Sequence, residues 1–318
     1  MGQRELRVPQ AGPAGAGGAP RDRADVLRAL RPRAAAAYRR PVDIGVSVAY
    51  PGRDGAHSAA ACERLFPHAE LVPLPSFHAV AEATATAAVD FGVLPIESSL
   101  SGPIAETHDL LYDSPLSIAD ETVLQIRHCL AGPASAPLEQ IAVVHSHPAA
   151  LEQCRRLLAA MPWASAVAAA TTADAAARVA DRRDPAEAAI TSERAARLHR
   201  LTVIAADVGD HPEAYTRFVS LATYTRLDRE REDWRTAFSF VTDHRPGALH
   251  RAIEPFGRHR INLVQLVSRP IPQTPWRYRF DAVLDGHPLD PVIGSALAEL
   301  RRRTRRVTVF GSYPTADA

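Results

Sequence analysis

The sequence predicts an α/β protein in two parts: strands alternating with helices over residues 43–226, then a ferredoxin-like βαββαβ domain over 235–314. Three observations predict it. Short apolar runs bounded by Gly, Pro and Asp alternate with Ala-rich helical stretches through the first part, the succession that builds parallel sheets covered on both faces. A run dense in Arg, Asp and Glu then breaks the pattern and reads as a linker at 227–234. Beyond it the apolar periods follow the order strand, helix, strand, strand, helix, strand.

In chain order, residues 44–49 have the pattern of a buried strand, 51–55 that of a Pro/Gly/Asp turn, and 57–65 that of a helix. Further strands are predicted at 71–74, 91–96, 141–145, 187–190 and 201–205. The patch 213–221 follows a polar turn at Asp210-His211-Pro212 and enters a strand-like apolar run. There the hydroxyl of Thr216 and the guanidinium of Arg217 are expected to emerge side by side. In the second part strands are predicted at 236–242, 262–268, 277–284 and 306–310, with helices at 248–259 and 290–303. Residues 315–318 are read as a tail.

Composition excludes several function classes. The 318 residues, 46% apolar and 23% charged, suffice for two or three small cores. A formal charge of +1 gives no domain-wide basic field, so neither nucleic acid nor a membrane surface is an expected partner. All 37 basic side chains are Arg, which rules out a Schiff-base lysine, a lysine-held pyridoxal and a phosphate-loop lysine. Cys62, Cys129 and Cys154 are odd in number and widely spaced, so neither a disulfide framework nor a CxxC metal pair is expected, and a reducing cytoplasm is the natural compartment. Residues 1–42 carry nine Arg against three acids without apolar periodicity and read as a disordered extension. Their Arg-rich, acid-poor character also fits a transit peptide, against which their shortage of Ser counts. No apolar run reaches the length of a membrane span.

Chemistry-bearing residues cluster at predicted helix starts. Ser98 and Ser99 precede Gly102-Pro103, Ser146 and His147 precede Pro148, and Thr171-Thr172-Ala173-Asp174 fits a capping box. Such starts offer hydroxyls and free amides to an anion. Each alone also reads as an ordinary N-cap.

Five segments in this order and spacing, 92–99, 146–148, Thr216-Arg217-Phe218, 247–250 and 268–270, together resemble the prephenate dehydratase family with its appended ACT domain. The resemblance covers residues 43–314. It implies a bilobal, periplasmic-binding-protein-like catalytic domain of two α/β lobes around a cleft, and a reaction without metal or other cofactor. Prephenate loses carbon dioxide from C1 and hydroxide from C4 as the ring becomes aromatic in phenylpyruvate. The resemblance assigns Thr216 as proton donor, acting through a hydrogen-bonded relay, Arg217 as electrostatic partner or substrate clamp, and Glu97 as a third catalytic residue. Substrate contacts are implied at Ser98, Ser99, Ser146, His147, Thr171, Thr172 and Phe218. A structural carboxylate at Glu97 and a loop-fixing hydrogen bond at His147 remain open readings.

For the ACT domain the resemblance implies binding of L-phenylalanine as feedback effector by Gly247, Ala248, Leu249, His250, Asn262, Leu263, Ser268 and Arg269, in a homodimer or homotetramer. Four segments depart from the family pattern. Ser98 stands where the family carries Asn, Ala149 for Gln, Val267 for Glu, and Gly55-Ala56-His57-Ser58 for Gly-Thr-Phe/Tyr-Ser. Polar contacts changed in this way shift specificity more than apolar ones do. Two other readings stay open: a prephenate decarboxylase that keeps the hydroxyl, against which Thr216 weighs, and a non-catalytic amino-acid sensor.

Overall fold

The computed structural model describes residues 45–133, 137–224, 233–271 and 274–316. The extension 1–42 and the greater part of the 227–234 linker lie outside them. The first part contains β1 (Ser47–Pro51), α1 (His57–Leu65), β2 (Glu70–Leu74), α2 (Phe77–Ala85), β3 (Phe91–Ser98), β4 (Gly102–Pro103), α3 (Ala105–Asp113), β5 (Ser117–Gln125), β6 (Cys129–Gly132), β7 (Val143–Ser146), α4 (Pro148–Gln153) and α5 (Arg155–Ala159). It continues with β8 (Ser165–Ala168), α6 (Thr172–Arg182), β9 (Glu187–Thr191), α7 (Glu193–Leu198), β10 (Thr202–Ala205) and β11 (Tyr215–Ala222). The second part is β12 (Trp234–Val241), α8 (Ala248–Arg258), β13 (Leu263–Pro270), β14 (Tyr278–Asp285), α9 (Pro291–Arg303) and β15 (Arg306–Pro314).

Three sheets result: β2-β1-β3-β11-β5 with β4 on β3, β10-β6-β9-β7-β8, and β13-β14-β12-β15. The expectation of parallel sheets is corrected. Only β1, β2 and β3 run parallel in the first sheet, and only β7, β8 and β9 in the second. The chain leaves the first lobe along β5 and returns along β11, so these two strands pair antiparallel with each other, and β11 with β3. β6 and β10, the strands entering and leaving the second lobe, likewise run antiparallel to their neighbours. The third sheet with α8 and α9 has the expected βαββαβ order, which is that of an ACT-like domain.

Alternation explains the cores. Val48 and Tyr50 of β1 point into a cluster with α1, whereas Ala49 joins Leu94, Ile96, Val219 and Leu221 on the other side of the sheet. That second cluster continues into Ala237, Phe310 and Tyr313, so the ACT-like domain is packed on the first lobe by apolar burial as well as by charge. The two lobes meet where Gly55 touches α7. Its φ is +89°, and a Cβ there would lie 2.9 Å from Ala195, so only glycine allows both the turn and the approach. Ser192 Oγ donates to the Gly55 carbonyl across this contact at 2.9 Å.

Candidate active site

A cleft of about 500 Å³ opens between the lobes. Its walls are built largely from the beginnings of helices. Ala56 and His57 open α1, Ser76 and Phe77 open α2, Ile104 precedes α3, His147 caps α4, and Thr171 and Thr172 begin α6, and all of them line it. Four of these helices run nine residues or more. Their unpaired amides and dipoles converge where strands end, which favours an anion.

The caps follow from local sequence. Thr171 Oγ1 accepts from the Asp174 amide at 2.9 Å, the N-cap half of the expected capping box, and it donates to the Asp174 carboxylate at 2.7 Å, so that carboxylate meets the hydroxyl. Asp174 also pairs with Arg53 of the first lobe at 2.5 Å. His147 Nδ1 accepts from the Ala149 amide at 3.2 Å, so the neutral ring carries its proton on Nε2. The serines behave differently from helix caps. Ser98 ends β3, and its hydroxyl accepts from the Leu100 and Ser101 amides, because the short β4 intervenes before α3. Ser146 is buried and donates to the Ile190 carbonyl at 2.6 Å. Ser99 Oγ accepts from the Tyr215 amide at 2.9 Å.

The cleft gathers Thr216, Phe218, Ser98, His147, Thr171 and Thr172. It does not gather Arg217, Glu97, Ser99 or Ser146. Successive strand residues face opposite sides, so Thr216 and Phe218 turn into the cleft while Arg217 turns away. The side-by-side emergence of hydroxyl and guanidinium is thus corrected. Pro95 cannot donate to the ladder, and the β3–β11 register shifts between Arg217 and Phe218, which sit opposite Glu97 and Pro95. Thr107 Oγ1 of α3 donates to the Pro95 carbonyl at 2.6 Å.

Behind the sheet, Arg217 Nη1 donates to Glu121 Oε2 at 2.9 Å, and its Nε lies 3.4 Å from Glu97 Oε2. Arg235 Nη1 of β12 and the Ala316 amide donate to Glu121 Oε1 at 2.9 and 3.0 Å. Gln265 Nε2 of β13 donates to Glu97 Oε1 at 2.9 Å. Burial works against the Arg217 charge, yet Glu121 holds its pKa above the usual value. Arg217 and Glu97 therefore tie the Thr216 strand to the ACT-like domain.

Sequence reasoning left His57, His128, Gln153 and Glu106 out of the site, and all four line the cleft. His57 stands edge-on to His128, ring centroids 5.8 Å apart, and His128 Nε2 lies 3.1 Å from Gln153 Oε1. Burial, and then the neighbouring His128, lower His57 to about 4. Burial also lowers His128 and His147. The cleft thus offers neutral imidazoles at pH 7. An unfolded His titrates near about 6.5, so between that value and the folded value the unfolded chain binds the extra proton. Stability from this site is therefore complete above the unfolded value and is lost as pH falls toward the folded one. His57→Phe is expected to flatten this loss between about pH 6.5 and about pH 4 in urea unfolding, and an unchanged slope would remove His57 as its source.

The residues expected to bind an effector occupy two places. Gly247, at φ +74°, caps α8 ahead of buried Ala248, Leu249 packs on the domain core, and His250 is exposed. Asn262 Nδ2 donates to Asp285 at 2.8 Å, Leu263 packs on the same core, and Ser268 is exposed. Arg269 turns toward the first lobe, with Nη2 2.6 Å from Asp109 Oδ2.

Two α/β lobes closing a cleft of helix starts, neutral imidazoles and three threonines, with an ACT-like domain behind, define an enzyme for a small anionic substrate. Residues 48–226 match the prephenate dehydratase family. The chloroplastic arogenate dehydratase/prephenate dehydratase 2 of Arabidopsis thaliana is 35% identical over 278 residues, 85% of this chain and 73% of the relative. The structure of a prephenate dehydratase from Arthrobacter aurescens in complex with L-Phe is similar at TM-score 0.78 and 28% identity, covering 85% of this chain and 90% of its own. A structure described as GqqA, a novel type of quorum quenching acylase, is similar at TM-score 0.77 and 27% identity, covering 85% and 98%. The chain belongs to the prephenate dehydratase family, whose members are hydro-lyases.

Proposed function

We propose that the interlobe cleft converts prephenate to phenylpyruvate, with Thr216 delivering the proton to the leaving hydroxyl. The observation that carries this reading is the placement of Thr216 in one cleft with the first turns of four full-length helices. The bond from C1 to its carboxylate breaks, and its electron pair enters the ring as carbon dioxide departs. The C4–O bond breaks, and the leaving hydroxide takes a proton to become water. Helix-start amides, with the hydroxyls of Ser98 and Thr172 and the His147 Nε2–H, hold the pyruvyl carboxylate, while the Thr171 hydroxyl stays committed to Asp174. The apolar wall of Phe77, Ile126 and Phe218 leaves the departing carboxylate poorly solvated. Arg217 and Glu97 act from behind the sheet, as positioning residues. Incubating the purified protein with prephenate tests this: the absorbance of phenylpyruvate should grow, and an unchanged spectrum would overturn the reading.

The ACT-like domain is assigned the binding of L-phenylalanine as inhibitor, supported by the family and by the L-Phe complex of the Arthrobacter relative. A Cβ at Gly247 would lie 2.8 Å from Arg251 Nη1, a side-chain end free to move, so substitution there strains mainly the left-handed backbone. Gly247→Val should abolish inhibition while basal kcat stays within about twofold, since coupling and catalysis are separate free energies. Calorimetry with millimolar phenylalanine checks the first part, and absence of binding heat in the wild type would leave the domain an assembly module. A homo-oligomer fits the exposed Val264 and Leu266 on edge strand β13. A reducing, cytoplasmic location is supported by the free, buried state of Cys62, Cys129 and Cys154.

A further inference from the structure

β13 is the edge strand of the ACT-like sheet, yet two of its side chains reach into the first lobe. Gln265 Nε2 donates to Glu97 Oε1 at 2.9 Å. Four residues on, and so on the same face of the strand, Arg269 Nη2 donates to Asp109 Oδ2 at 2.6 Å and to the Ala105 carbonyl at 3.2 Å. Both contacts end on elements whose neighbouring residues line the cleft. Glu97 is the residue before Ser98, and Ser98 lies directly opposite Thr216 in the β3–β11 ladder. Ala105 opens α3, whose neighbouring residues Ile104 and Glu106 line the cleft.

The two contacts also belong to one circuit. Thr107 of α3 is bonded to the Pro95 carbonyl of β3, so the helix and strand held by β13 are held to each other as well. Asp109 accepts a second guanidinium, Arg279 Nη2, at 2.7 Å. Arg279 is fully buried, lies over the Tyr112 ring at 4.3 Å from its centroid, and pairs with Asp281 of its own strand at 3.1 Å. Both carboxylates keep some water, but on the α3 side Asp109 is held by two guanidiniums, whereas Glu97 is bonded to the neutral Gln265 amide and only at longer range to Arg217. The weak point of the circuit is the Gln265–Glu97 bond, at the pair of strands that carries Thr216.

We propose that Gln265 and Arg269 are positioning residues: they fix the ends of β3 and α3, and through them the alignment of Thr216 against the rest of the cleft. Movement of β13 relative to the first lobe is then read directly at the catalytic hydroxyl. Neither residue touches the cleft. The kinetic consequence rests on the dehydratase reading, while the structural consequence does not.

The test uses the full chain with Gln265→Leu, and Gln265→Asn as a second variant that keeps the amide but shortens its reach. Hydrogen exchange at residues 96–98 and 215–217 should rise by about tenfold while β7 and β9 keep their wild-type rates, as expected for loss of a hydrogen bond to a charged group with local effect. Turnover on prephenate should fall several-fold in kcat with KM little moved, the pattern of a misaligned transition-state contact. Gln265→Glu, which sets two carboxylates face to face, should be worse. Combined with Glu97→Gln it should recover, because the amide now donates from the other side. Unchanged exchange at β3 and β11, or a uniform rise in both lobes, overturns the proposal. Absence of phenylpyruvate with the wild type overturns the dehydratase reading instead, and the exchange result still decides the role of Gln265.

Discussion

Thr216→Ala is expected to lower kcat by about a hundredfold or more with KM little changed, because general-acid contacts of this kind contribute about 10²–10⁴-fold and are made in the transition state. The geometry gives the reason for confining the effect to kcat. In the proposed reading ground-state binding comes from several helix starts and hydroxyls around the cleft, and Thr216 is the hydroxyl that β11 contributes to it. A threonine hydroxyl has no acidic pKa of its own, so Thr216→Ser should keep much of the rate and Thr216→Val, which preserves shape, should not. Near-normal turnover in the alanine variant would remove Thr216 from the chemistry.

Glu121→Ala is expected to be the most destabilising single change behind the sheet. The Glu121 side chain is fully buried between Arg217 and Arg235, themselves only 25% and 19% exposed, and it also takes the Ala316 amide. Removing it leaves two guanidiniums facing each other with only the longer contacts of Arg217 to Glu97 at 3.4 Å and of Arg235 to Asp285 at 3.6 Å as counter-charge, which costs about 3 kcal/mol, the low end for a broken buried pair because both arginines keep some water and a second carboxylate. Replacing all three by apolar residues of similar size should recover much of that loss, since the desolvation cost goes with the charges. Urea unfolding of the single and triple variants measures both. A loss below about 1 kcal/mol for Glu121→Ala would show that the trio acts as a solvated surface pair.

Elements with a clear period were legible in the sequence, and those shaped by a distant partner were not. The reading of α1 matches residue for residue, and the βαββαβ order follows from apolar spacing alone. β5 was missed because Asp120 and Glu121 interrupt its apolar pattern, and it is Arg217 and Arg235, far away in the chain, that make Glu121 tolerable there. β8 was missed because an edge strand of Ser, Ala and Val carries little signal. Parallel sheets were expected because a local pattern cannot show that β5 and β11 are the crossing strands between lobes. In the site, Thr216 was found through its motif. Its neighbour Arg217 lies on the opposite face of the strand, paired with Glu121 and Glu97, which a motif of adjacent residues does not show. His128 and Gln153 enter the cleft through lobe packing and leave no local mark.

The most direct measurement is the stoichiometry of products from prephenate, with carbon dioxide and phenylpyruvate followed in the same reaction. The account predicts one phenylpyruvate for each carbon dioxide in the wild type, with both falling together in Thr216→Ala, since loss of the carboxylate and loss of the hydroxyl are joined by aromatisation. Carbon dioxide released without an aromatic product, at a rate indifferent to Thr216, would contradict it.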